Sequence, residues 1–123
     1  MSHSAASAYA RVATTTATNP RDIEAQTLLK AANKLQDAMN AADPLSEQTT
    51  QALMFNRKLW TIFLSEAMRD TNPQPLDVRQ KIANISVFVL SQTAALQVSP
   101  QFDHFRPLIE INRNIAAGLS GRP

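Results

Sequence analysis

Between Thr49 and Met68 the chain contains neither glycine nor proline, and its apolar positions keep helical time. Leu53, Trp60, Leu64 and Met68 recur at spacings of seven, four and four, with Leu59 and Phe63 widening the stripe. Upstream, Asn19-Pro20 is a helix start, with Asn as cap, Pro preset at the first position, and Asp22 and Glu24 in the first turn. The helix it opens is predicted from about Pro20 to Asn40, with an inner stripe of Ile23, Thr27, Leu28, Ala31, Leu35, Ala38 and Met39. Asp43-Pro44-Leu45-Ser46 ends that pattern and caps the second helix, from either Asp43 or Ser46, which then runs to about Arg69.

Pro73 and Pro75 cannot continue a helix, so a third is predicted from Pro75–Leu76 to about Val98. Val78, Ile82, Ile85, Val89 and Leu96 form its stripe, and Val87, Phe88 and Leu90 make its middle apolar nearly all round. Such a helix either lies centrally or keeps a second face for a partner. The β-branched run Ile85–Leu90 also suits a strand, but the flanking periodicity and the length favour helix. A last helix is predicted from Pro107 to about Leu119, with Asp103 as a cap before it, Leu108, Ile111, Ile115 and Leu119 as its stripe, and Gly118 or Gly121 closing it. Four helices joined by short connections predict an all-α fold, a small antiparallel helix bundle. Residues 1–18 read as an arm, flexible or with a short helix around Ala5–Ala13, and residues 19–123 as one bundle domain.

Composition narrows the function more than the fold. The 123 residues carry twelve basic and ten acidic side chains, interspersed, for a net charge of +2. The densest basic cluster is Arg57-Lys58, with no aromatic interleaving, so direct nucleic-acid contact is not expected. No apolar run of about 18 residues exists to span a bilayer, and the Ala/Ser/Thr-rich start lacks the continuous apolar core of a signal peptide. With no cysteine there are no disulfides, thiol nucleophiles or Cys-based zinc sites, which suits a cytoplasmic protein. His3 and His104 have no carboxylate at ligand spacing, and two glycines near the C-terminus cannot build a nucleophile elbow or a phosphate-cradling loop. Glu66 and Glu110 read as surface carboxylates, so neither enzyme, metal nor cofactor is expected.

Two constellations stand out. In Asn56-Arg57-Lys58-Leu59-Trp60 the amide and the indole share a helix face at i, i+4. In Leu108–Ile115, Asn112 leans towards the apolar stripe. Two helices each presenting an inward amide form a pair able to bond each other, either as a latch fixing the topology or as a ligand contact.

With Pro20-Arg21-Asp22-Ile23-Glu24-Ala25, the apolar segment Ile85–Ser91 and the final Leu108–Leu119, these constellations resemble the FlaF family of bacterial flagellar biosynthesis regulators, over about Tyr9 to Leu119. The resemblance implies a non-enzymatic cytoplasmic protein that acts on flagellin as an export chaperone and is linked to control of flagellin synthesis. Flagellin is the partner so implied, with a second flagellin-synthesis regulator beside it. On that reading an apolar groove holds an amphipathic flagellin helix, preventing premature polymerisation. Trp60, Phe63 and Phe88 are then the candidate anchors, Asn56, Arg57 and Arg113 the rim, and Asn112 the second amide. Helically spaced aromatics also read as core. The competing reading is a regulatory adaptor acting through another regulator or flagellin mRNA without holding flagellin. A self-associating helical bundle is a third, although a monomer is expected.

Overall fold

The computed structural model describes residues 20–121. The arm expected over residues 1–18 and the Asn19 cap lie outside them. Four α-helices follow in order: α1 (Pro20–Ala41), α2 (Glu47–Ala67), α3 (Leu76–Val98) and α4 (Phe105–Leu119), with a short 3-10 turn at Phe102–His104. Among the described residues there is no strand, and Ile85–Leu90 is helical.

The helix ends follow local chemistry. Ser46 caps α2: its Oγ accepts from the Thr49 backbone N–H at 3.1 Å. Asp43 instead accepts from the Leu45 N–H at 3.1 Å, which holds the preceding turn. The first helix closes through Ala42 at φ 64°, a left-handed position that a side chain occupies at a cost. At the far end of α2, the Arg79 guanidinium donates from Nε to the Ala67 carbonyl at 2.9 Å, satisfying an orphan acceptor with a cation. Asp103 is not a cap. The 3-10 turn carries it to the surface, and α4 begins two residues before the expected Pro107, with no side-chain cap bond. Burial of Phe105 sets that start; its ring meets Phe102 edge-to-face at 5.1 Å. Pro107 falls in the first turn of α4, where its missing N–H is not needed. Gly121, at φ 75°, supplies the closing left-handed residue and bonds back to the Gly118 carbonyl.

Neighbouring helices run antiparallel. At one end Arg79 of α3 meets the last residue of α2, and towards the other Arg57 reaches Gln97 at 3.1 Å. The most extensive pairings are α1 with α4 and α2 with α3, and α1 also packs on α2. α1 buries Ala25, Leu28, Ala31, Ala32, Leu35 and Ala38, and its alanines let α4 bring in Phe105, Leu108 and Ile109. The stripe expected on α1 is buried at Leu28, Ala31, Leu35 and Ala38, and the one expected on α4 is rotated. Ile23 is exposed while Ala25 takes the inner position, and on α4 Ile109, Asn112 and Ala116 line the core while Ile111 and Ile115 are only half-buried. Met68 lies past the end of α2 and is exposed rather than part of its buried stripe, because the chain has already turned away.

Candidate functional site

Four buried side chains from three helices form a single hydrogen-bonded line through the core. Trp60 Nε1 donates to Asn112 Oδ1 at 2.8 Å, and Asn112 Nδ2 donates to Asn56 Oδ1 at 2.8 Å. Asn56 Nδ2 donates to Thr93 Oγ1 at 3.1 Å, and the Thr93 hydroxyl donates to the Val89 carbonyl at 2.7 Å. An indole N–H can only donate, so Asn112 must turn its carbonyl to Trp60 and its amino group to Asn56, and the orientation of Asn56 follows. Among the described residues no buried side-chain polar atom lacks a partner. The line ties α2 to both α4 and α3, and Phe63 braces the indole edge-to-face at 5.1 Å. The mutual bond of Asn56 and Asn112 is the pairing their positions suggest. Thr93 is the member that sequence reasoning missed, since a lone Thr after Ser91 and Gln92 carries no signal of its own.

Beside this line, α3 and α4 leave an open groove of about 340 Å³, lined by Asn84, Ile85, Phe88, Ile111, Asn114 and Ile115. The rotated stripe of α4 produces it: Asn112 points into the core, which sets Ile111 and Ile115 towards the gap. Asn114 also entered unnoticed, lying one residue outside every apolar stripe.

The seven candidate residues therefore divide. Asn56, Trp60 and Asn112 are buried in the polar line and present no surface to a partner in this conformation. Phe63 is half-buried against the core, and Phe88 is exposed along the groove. Arg57 and Arg113 are exposed, Arg57 bonded to Gln97. Asn56, Trp60 and Asn112 come together; Arg57, Phe88 and Arg113 do not join them.

Two features lie elsewhere. A shallow hollow of about 380 Å³ on α1 is lined by Gln26, Leu29, Lys30, Asn33, Lys34 and Asp37, and nearby the two lysines sit 5.5 and 5.2 Å from the Phe55 ring centre. Glu24 has its carboxyl pKa raised by partial burial, against the pull of Arg21 and with a further push from Glu66. Glu66 itself pairs with Arg69 at 2.8 Å on the surface. Among the described residues no group of three His, Asp or Glu side chains is arranged to hold a metal ion, and no helix is long and apolar enough to cross a membrane.

Comparison with known families decides the kinship. The family described as flagellar protein FlaF matches residues 5–119. The chain belongs to the FlaF family. The match ends on the last residue of α4 and takes in the whole polar line and both walls of the groove, so these are parts of the FlaF domain rather than additions to it. No curated protein and no solved structure matches the chain.

Proposed function

We propose that this FlaF-family protein is a flagellin-binding export chaperone and assembly regulator of the cytoplasm, holding an amphipathic flagellin helix between α3 and α4. What carries the reading is the open groove, whose floor is Ile85, Phe88, Ile111 and Ile115 and whose edges are the uncharged amides Asn84 and Asn114. Apolar side chains spaced three and four apart on an incoming helix would replace water over that floor, while the two amides meet its polar flank. The buried polar line holds α2, α3 and α4 in place, so the groove is largely formed before a partner arrives and little ordering cost falls on the protein. In this arrangement Phe88 is the anchor among the aromatic candidates, and Trp60 acts by fixing α4.

Titration calorimetry against monomeric flagellin, and flagellin shortened at either end, tests the reading. Expected is a complex of micromolar or tighter affinity with a negative heat-capacity change, lost on one truncation and weakened at least tenfold by Ile111→Glu or Phe88→Glu. Absence of heat and of co-elution at several temperatures overturns flagellin holding and leaves the regulatory-adaptor reading.

A further inference from the structure

Residues 1–19 join the bundle at Pro20, and three reversals of chain direction put Pro20 at the same end as the close of α4. α4 packs on α1 and walls the groove, so one helix separates the start of α1 from that groove. On α4 the groove row of Ile111, Asn114 and Ile115 continues towards that end to Gly118. An added Cβ there would meet nothing within 4 Å, so no side chain of α4 bars entry at this point. The family match begins at Ala5, so the segment ahead of α1 belongs to the FlaF domain although none of the four helices contains it. Within that segment Tyr9, the only tyrosine of the chain, stands at helical spacing from Ala5 and Val12, with the one charged side chain, Arg11, on the other side.

We propose that Ala5–Ala13 folds back into the groove between α3 and α4 and closes it within the same chain. Tyr9 suits the site: its ring covers Ile85, Phe88, Ile111 and Ile115, and its hydroxyl meets the amide of Asn84 or Asn114 at the edge. The reach is sufficient. Asn114 lies about 8 Å back along α4 from Leu119, and crossing α4 takes about 10–12 Å. Thr14–Asn19, extended, spans about 20 Å, and its three consecutive threonines suit that extended form. So short a tether gives an effective concentration on the order of mM, an advantage that no separate molecule shares. The consequence rests on the flagellin reading above: an incoming flagellin helix must displace the arm, and its apparent affinity falls with the fraction of chains that are closed.

Cysteine pairs in the full chain test this without flagellin, since the chain has no cysteine of its own. A short bis-maleimide is expected to join Ala8→Cys to Asn114→Cys at least about fivefold faster than to Gln26→Cys. Gln26 is exposed, lines the hollow on α1 and lies nearer the arm along the chain, so an undocked arm would favour it. Tyr9→Ala and Phe88→Glu are each expected to abolish the preference while the bundle stays folded by circular dichroism, since Phe88 is exposed and Tyr9 lies outside the four helices. In calorimetry Tyr9→Ala is expected to tighten flagellin binding by at least about threefold. Joining at Gln26→Cys as fast as at Asn114→Cys, or a preference indifferent to both substitutions, overturns arm docking and leaves the flagellin reading standing. Preferential joining at Asn114→Cys in a chain that gives no heat with flagellin sustains arm docking and overturns the flagellin reading.

Discussion

α1 and α3 are nearly equal in length, at 22 and 23 residues, and each is antiparallel to α2, yet they use their apolar residues in opposite ways. α1 buries two leucines and four alanines, with Lys30 and Asp37 exposed and Lys34 half-buried. α3 buries only Ser86, Val89, Thr93 and Leu96, two of them hydroxyls, while Val87, Phe88 and Val98 face out. Both hydroxyls are satisfied locally, Ser86 by the Ile82 carbonyl and Thr93 by the Val89 carbonyl, each at 2.7 Å. α1 therefore commits most of its apolar surface to folding, with Ile23 and Leu29 left 47% and 37% exposed. α3 packs Val89 and Leu96 into the core with Ile85 and Leu90 partly buried against it, but keeps Val87, Phe88 and Val98 where they contribute little to the isolated bundle.

Truncating the apolar side chains of the two helices separates them most widely. Leu35→Ala in α1 is expected to lower unfolding stability by about 3 kcal/mol, and Val87→Ala in α3 by less than about 0.5 kcal/mol, by urea melts. Equal losses would erase the contrast. Next, Thr93→Val keeps the shape of α3's inner face but leaves the Asn56 amino group without an acceptor, at an expected cost of about 2 kcal/mol. A neutral result would mean that packing alone seats α3. Arg79→Ala removes the guanidinium from the end of α2 and is expected to cost about 1 kcal/mol, with earlier amide exchange in the last turn of α2. The smallest expected change is a gain: Ala42→Gly relieves the left-handed residue after α1 and should stabilise by about 0.5–1 kcal/mol.

Much of this was legible in the chain. Pro20 marks a start and Pro73 with Pro75 a break, both from backbone chemistry alone, and α3 begins where they predict. The amide pair was legible because a helical period fixes which residues share a face, and Asn56 and Asn112 both lean inward. Rotation about a helix axis was less so. Whether Ile109 or Ile111 enters the core depends on how closely α1 approaches, and that is set by Ala25, Ala31, Ala32 and Ala38 on a different helix. The groove is a product of that rotation and could not be seen in either helix alone. Asp103 misled because capping preference is local, whereas burial of Phe105 began α4 sooner.

The line from Trp60 to Val89 has a direction, every donor handing on to the next acceptor across partners 52, 56 and 37 residues apart. No short segment of chain can assemble it. A compact intermediate with one helix slipped by a turn would hold an indole N–H or an amide in a dry interior without a partner, so such states are shallow and empty quickly. Refolding after an unfolding pulse too brief for the seven prolines to isomerise should accordingly be a single exponential, and the only tryptophan of the chain sits at the head of the line to report it.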